Sequence, residues 1–163
     1  MKVVTAGFDS YRDSLYRRQL ESGASSTSQT MFSIVTDSGI DFTNTFSREK
    51  PDRLADTGAG VAIADYDSDG EVDIYLLAAE GPNKLFRGLG DFKFEDVTDA
   101  AGVDGSIGKK DTISTGASFA DVDNDGDLDL LVCNMNDLDI LYINRGDGTF
   151  KDCLLYTSDA ADE

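Results

Sequence analysis

The feature that most constrains the fold of this chain is an internal repeat, in which the sequence matches itself without gaps at an offset of 56 residues. Gly60 falls on Gly116 at one end of the match, and Phe94 falls on Phe150 towards the other. Repeats of this length are typical of solenoids and propellers, whose units cannot bury their apolar faces alone and therefore stack on their neighbours. The repeat thus predicts a stack of similar units.

The boundaries of the units follow from the same match. The end of a unit occurs a third time, because FSIVTDSGI at residues 32–40 is similar to FEDVTDAAGV at residues 94–103. We therefore predict a repeat region at residues 31–152, with the end of a partial unit at 32–40 and two further units at about 60–115 and 116–152. Residues 1–30 form a separate N-terminal segment, in which the spacing of Tyr11, Leu15, Tyr16 and Leu20 predicts a short amphipathic helix.

The repeat breaks down after Asp152. Residues 153–163, CLLYTSDAADE, resemble the in-frame translation of a transposon adapter used in sequencing libraries. We interpret them as an artefact to be left out of fold reasoning. An ordinary exposed acidic tail is the alternative.

Apolar, β-branched runs lie on both sides of each acidic loop, with GVAIA and DIYLLAA around the first and GASFA and DLLVCN around the second. Such short runs predict buried strands, and the Gly-Asp pairs that follow them predict turns. Each unit should contain three or four antiparallel strands. The predicted fold class is all-β, a fragment of a β-propeller of about two to three blades.

The two acidic loops, DYDSDGEVD from Asp65 and DVDNDGDLD from Asp121, share the pattern Asp-x-Asp-x-Asp-Gly-x-x-Asp. Two carboxylates about 4 Å apart near a protein surface repel each other by roughly 4 kcal/mol. The four Asp that the motif places within nine residues therefore require a counter-charge. Calcium, with 6 to 8 oxygen ligands, supplies it. We predict two Ca²⁺ sites, with side-chain ligands at the first, third, fifth and ninth positions and a main-chain carbonyl at the seventh: Asp65, Asp67, Asp69, Glu71 and Asp73, and Asp121, Asp123, Asp125, Asp127 and Asp129.

Other interpretations of the loops are weaker. An EF-hand needs a bidentate Glu at the twelfth position, which is Leu76 in the first loop and Val132 in the second. Magnesium prefers a rigid octahedron that retains water. Manganese and an acidic hairpin without metal stay open.

Composition excludes several classes of function. A net charge of -18 argues against a nucleic-acid partner, and the absence of His argues against zinc fingers and His-based catalysis. We find no GxSxG or P-loop motif and expect no enzyme activity. No apolar run approaches the roughly 20 residues of a membrane span. The N-terminus lacks the apolar stretch of a secretory signal, which taken alone favours the cytoplasm.

The segments GVAIADYDSDGEVDIYLLAA, NKLFRGLGDFKFEDVT and GASFADVDNDGDLDLLVCN resemble the FG-GAP or VCBS repeats of integrin-α-like β-propellers. Within that group, SGIDFTNTF and VTDAAGV are similar to the cartilage acidic protein and UnbV type. The resemblance implies a seven-bladed ring with calcium in hairpin loops on one rim, carried here by the same ten residues. Seven blades of this size need roughly 400 residues, so we expect the chain to be a fragment.

The resemblance further implies a secreted or surface-exposed protein that serves adhesion or ligand binding. Extracellular calcium modules bind at about 10⁻⁴ to 10⁻³ M, so such sites fill outside the cell. We therefore expect an extracellular module with structural calcium that presents a surface to a protein or carbohydrate ligand. The alternative is the non-catalytic propeller portion of a larger secreted enzyme.

Overall fold

A computed structural model describes residues 34–44, 59–79, 81–105, 113–135 and 137–154. The N-terminal segment 1–30, with its predicted helix, lies outside the described residues. So do residues 155–163, which belong to the segment interpreted above as an adapter artefact.

The described residues form eight strands and one short helix, arranged as two four-stranded antiparallel sheets. In each sheet, strands that follow one another in sequence are also neighbours in space. The first sheet, called blade 1, contains β1 (Gly60–Ala64), β2 (Asp73–Leu77), β3 (Lys84–Gly88) and β4 (Phe94–Asp96), and is followed by α1 (Thr98–Ala101); the second, called blade 2, contains β5 (Ile113–Ala120), β6 (Asp129–Met135), β7 (Ile140–Asn144) and β8 (Phe150–Leu154). The all-β prediction of propeller blades is confirmed for these two units.

The sequence repeat is preserved in the pairing of the strands. Gly60 lies opposite Leu77 in blade 1, and its counterpart Gly116 lies opposite Cys133 in blade 2. Because a slip of one residue would turn every side chain to the other face, the shared register means that equivalent residues point the same way in both blades.

The hydrophobic core lies between the two blades. Alternate residues of β2 are buried, as expected for a strand with one face on a core. The buried cluster takes side chains from both sheets, and β1 lies against β5. Burying each large side chain contributes about 1.5–3 kcal/mol, so the two blades stabilise each other. The largest fully buried members of the cluster are Tyr75, Leu77, Leu85, Val103, Leu130, Val132 and Ile140.

The connection after β4 is fastened to both blades. Helix α1 is capped at its C-terminus by Gly102, whose φ of 75° lies in the left-handed region that glycine adopts without strain. Val103 then enters the core, where its carbonyl accepts a hydrogen bond of 2.7 Å from the hydroxyl of Tyr75. Two residues later, the Gly105 N–H donates to the hydroxyl of Tyr142 at 3.2 Å. These contacts hold blade 1 and blade 2 in one arrangement.

Residues 34–44 lie beside blade 1. The main-chain N–H of Phe94 donates to the Ser38 carbonyl at 2.7 Å, and the Ala79 N–H donates to Oδ1 of Asn44 at 2.8 Å. This segment therefore contacts blade 1 near β4 and just after β2. The unit boundaries drawn from the sequence stay predictions.

Candidate metal centres

The two acidic loops connect the first and second strands of their blades, β1 to β2 and β5 to β6. Both have positive φ at the fourth and sixth positions, with 57° at Ser68 and 92° at Gly70 in the first loop. Asn124 and Gly126 repeat this conformation at 62° and 99°. Glycine tolerates such angles because it has no Cβ. The turn that the Gly of the motif predicts is thus present twice.

Each loop brings three carboxylates together. In the first loop, one oxygen each from Asp65, Asp67 and Asp73 lie within 4.8 Å of one another, and the second loop matches this with Asp121, Asp123 and Asp129. Oxygens on opposite sides of a Ca²⁺ ion, with bonds of about 2.4 Å, are about 4.8 Å apart. Each triad therefore has the chemistry and spacing to hold a divalent cation of its own.

The first Asp of each loop also closes the turn. Asp65 accepts hydrogen bonds from the N–H groups of Asp69 and Gly70, both at 3.0 Å. Asp121 accepts one from Gly126 at 3.2 Å. These bonds hold the curvature that brings the carboxylates together, and a carboxylate has further lone pairs available to an ion.

The ninth Asp of each loop is buried at the start of a strand. Asp73 is 0% exposed; its two oxygens accept hydrogen bonds of 2.8 Å each from the N–H groups of Tyr66 in the loop and Gly88 in β3. Asp129 is 1% exposed and accepts from Val122 and Asn144, both at 2.9 Å. The ninth position thus joins each loop to the third strand of its blade.

The electrostatics of the loops favour a cation. Burial, together with the charges of Asp67 and Asp69, raises the pKa of Asp73 to about 6, despite the lowering effect of its two backbone hydrogen bonds. The pKa of Asp123 is also raised, by loss of solvent and by the neighbouring charge of Asp125. A nearby positive charge would reverse both effects.

No protein cation supplies that charge within the described part of the chain. The ion pairs there join Lys84 to Asp96 and Arg87 to Glu95, with a third between Lys93 and Asp37. None of these pairs includes a loop carboxylate. The triads are therefore uncompensated by Lys or Arg among the described residues.

The remaining predicted ligands lie outside the triads. Oδ1 of Asp69 accepts a hydrogen bond of 2.9 Å from the Glu71 N–H, and Oδ1 of Asp125 accepts one of 3.0 Å from Asp127. The assignment of Asp69 and Asp125 as side-chain ligands, and of Glu71 and Asp127 as carbonyl ligands, stays a prediction.

Sequence reasoning missed two residues next to the triads, Tyr66 and Asn144. Asn144 ends β7, is 3% exposed, and donates from Nδ2 to the carbonyls of Tyr66 at 2.9 Å and Leu128 at 3.0 Å. A signal for it exists in the repeat, because the counterpart of Asn144 in blade 1 is Gly88. At the end of its strand, blade 2 thus carries a side chain that the repeat in blade 1 lacks.

Comparison with protein families agrees with this architecture. A family model described as FG-GAP-like repeat matches residues 65–132 and 121–162, which together make up more than half of the chain. The chain belongs to the FG-GAP-like repeat family. Each FG-GAP-like match begins at the first Asp of an acidic loop, so the two matches start one internal repeat apart.

The FG-GAP-like matches leave two interpretations as predictions. They identify the repeat but not the narrower cartilage acidic protein and UnbV type. The second match continues past Asp152 to residue 162, and strand β8 continues to Leu154. The interpretation of residues 153–163 as an artefact stays a prediction. No curated protein matches the chain.

Among the described residues, no helix of this FG-GAP-like repeat protein has the length and apolar character needed to cross a membrane.

Proposed function

We propose that this chain is a calcium-binding repeat module in which one Ca²⁺ ion in each loop stabilises its blade. The observation that carries the proposal is the position of Asp73 and Asp129, each of which belongs both to a carboxylate triad and to the hydrogen bonds that join the loop to its sheet. An ion held by either triad would strengthen a contact that already connects two strands. The role of calcium is therefore structural.

Calcium suits the donor set better than other common ions. Both triads offer only carboxylate oxygens, which hard cations prefer, whereas zinc and copper favour the nitrogen and sulfur of His and Cys. Loops of nine residues whose ligands also make backbone hydrogen bonds suit the variable geometry of calcium. Magnesium requires a nearly ideal octahedron.

We propose that the module is not an enzyme. A catalytic metal site needs an open coordination position beside a general acid or base. The chain contains no His, and the carboxylates of the triads are repeated in both blades, as expected for an architectural role.

The module is proposed to act outside the cell or at its surface, where it presents the rim or face of its blades to a protein or carbohydrate. Extracellular calcium modules bind with dissociation constants of about 10⁻⁴ to 10⁻³ M, well above cytosolic calcium. Family membership and the acidic loops support this location.

Calorimetric titration of the complete chain with CaCl₂ tests the proposal. We expect about two ions per chain, and strongly reduced binding in the double variant Asp67→Asn with Asp123→Asn. The matched control, Asp41→Asn with Asp99→Asn, removes the same charge from exposed positions outside the loops and should bind like the parent. Equal binding by the two double variants would refute loop binding, and preferential binding of Mn²⁺ would change the assigned ion.

A further inference from the structure

The two candidate metal centres are connected by a continuous series of hydrogen bonds that crosses from one blade to the other. In blade 1, Asp73 of the first triad accepts from the Tyr66 N–H at 2.8 Å. The Tyr66 carbonyl in turn accepts from Nδ2 of Asn144 in blade 2 at 2.9 Å. The Asn144 N–H then donates to Asp129 of the second triad, also at 2.9 Å. Two residues thus separate a ligand of one centre from a ligand of the other.

Tyr66 is held on its side chain as well as its main chain. It is 3% exposed, and its ring lies 5.5 Å from that of Phe150, centroid to centroid. Phe150 begins β8 and lies directly opposite Asn144 in the sheet. The second residue of the first loop is therefore fixed by neighbouring residues of blade 2.

Every polar atom of the Asn144 side chain has a partner. Nδ2 donates to the carbonyls of Tyr66 and Leu128, and Oδ1 accepts from the Gly146 N–H at 3.0 Å. An amide with three side-chain hydrogen bonds and 3% exposure has little freedom to rotate. The side chain of Asn144 therefore connects β7 directly to the backbone of Tyr66.

Within the described residues, the repeat does not provide blade 1 with an equivalent of this connection. The counterpart of Asn144 in blade 1 is Gly88, which makes the same backbone hydrogen bond, to Asp73, but has no side chain to reach another loop. The counterpart of Tyr66 in the second loop is Val122, which is 50% exposed. The backbone contacts belong to the repeat, whereas the Asn144 side chain adds a contact between blades.

We propose that Asn144 couples the two metal centres, so that an ion in the second loop raises the affinity of the first loop for its own ion. This inference rests on the proposed function, since it requires that both loops bind metal. Asn144 is a positioning residue in this scheme, because it contacts ligands and loop backbone rather than the ion.

The physical basis is the cost of ordering. An ion in the second loop restrains Asp129, which restrains Asn144 and through it the Tyr66 peptide groups. Because Tyr66 donates to Asp73, the first triad is then partly ordered before its ion arrives, and binding pays less conformational entropy. Repulsion between the two ions acts in the opposite direction, but it is also present in a variant that lacks the Asn144 side chain.

The test is a thermodynamic cycle on the complete chain, with calcium as the probe. The amide resonance of Gly70 reports loop 1 and that of Gly126 reports loop 2. The coupling factor is the affinity of loop 1 in the parent divided by its affinity in Asp123→Asn, where loop 2 is disabled. Couplings between sites typically amount to about 5-fold or more. We expect at least about 5-fold in the parent and less than about 2-fold in an Asn144→Ala background.

The matched control is Asn83→Ala. Asn83 is also buried, at 2% exposure, and its Nδ2 donates across the same blade interface to Ser114 at 3.0 Å. It precedes β3, at the edge of the sheets opposite the metal loops. Asn83→Ala should weaken the interface and leave the coupling factor at the parent value. If Asn144→Ala does not fold, Asn144→Gly, which gives blade 2 the residue of blade 1, replaces it.

A second readout does not depend on affinity. In an Asp67→Asn chain, where loop 1 is disabled, filling loop 2 with calcium should shift the amide resonance of Tyr66, and Asn144→Ala should abolish that shift. Equal coupling factors in the parent and Asn144→Ala, or loss of coupling in Asn83→Ala alone, would overturn the inference. If both loops bind calcium without coupling, the inference fails and the proposed function stands. If neither loop binds calcium, the proposed function itself is refuted.

Discussion

Asp73 and Asp129 make the same pair of backbone hydrogen bonds in two different sheets, one to the second residue of their own loop and one to the last residue of the third strand. The ninth Asp of the motif therefore differs from the others. It stabilises the blade even before an ion is bound.

This difference predicts two distinct effects of substitution in the absence of calcium. Asp73→Ala leaves two buried N–H groups without an acceptor, and each such loss costs about 1–3 kcal/mol, partly offset here by removal of a buried charge. We expect the free energy of unfolding to fall by about 2 kcal/mol. Asp67→Ala should change it by less than about 1 kcal/mol, because removing a repelling carboxylate offsets its single 3.4 Å contact to Asp69.

Urea denaturation in excess chelator measures both values. Equal losses in the two variants would show that the ninth position has no separate structural role.

The raised pKa of Asp73 predicts an unusual pH dependence of the calcium-free protein. Its pKa is about 6 in the folded state against an ordinary 3.8, so the folded state holds the proton more tightly than the unfolded state. The resulting stabilisation is complete below about pH 4 and is lost as the pH rises through about 6. For this group the free energy of unfolding should fall by at most about 3 kcal/mol between those values.

Denaturation in chelator at pH 5 and pH 7 tests this, with Asp73→Asn as the control that lacks the titrating group. Calcium should reverse the trend, since the ion binds the ionised carboxylate and competes with the proton. A parent and an Asp73→Asn variant with identical pH dependence would contradict the assignment.

Two glycines of the strands should differ in their tolerance of a methyl group. A Cβ at Gly88 would lie 2.5 Å from the main-chain oxygen of Val72, whereas one at Gly116 would meet only the Cβ of Cys133, at 3.9 Å. Gly88→Ala should lower the free energy of unfolding by about 1–3 kcal/mol through backbone displacement. Gly116→Ala should be neutral or stabilising by about 0.5 kcal/mol. Thermal unfolding of both variants at the same calcium concentration measures the difference, and an equal loss of stability in the two would contradict the prediction.

Removing the hydrogen bond between Tyr75 and Val103 should lower the stability of the protein without affecting the metal loops. Tyr75→Phe removes a buried 2.7 Å hydrogen bond and leaves the Val103 carbonyl without that donor, at a cost of about 1–3 kcal/mol. Tyr142→Phe, which loses only a 3.2 Å contact with Gly105, should cost less. Chemical denaturation gives the two values, and calcium affinity should remain that of the parent in both variants.

The sequence was sufficient to predict the repeated strands and acidic loops, because both depend on local patterns that occur twice. Alternation of apolar residues along β2 and a Gly such as Gly70 at the sixth loop position each have one dominant structural meaning. Helix α1 was not predicted, since its four residues are too few to show a helical period.

The unequal roles of the acidic residues could not be predicted in the same way. The motif presents Asp65, Asp67, Asp69 and Asp73 as chemically identical, and their difference arises only because Asp73 begins a strand and is covered by β3. The bond from Asn144 to Tyr66 spans 78 residues of sequence, so no local pattern contains both partners.

The exchange of Gly88 for Asn144 gives the pair of blades an order. Two blades built from the same repeat have similar faces, so each could stack on either face of the other. In the arrangement observed, Asn144 faces the carbonyl of Tyr66; with the blades interchanged, Gly88 would face Val122 and offer no side chain to it. A single buried polar residue can specify the register of otherwise similar helices in a coiled coil. Here the Asn144 amide is one of the contacts that distinguish the observed succession of blades from its reverse.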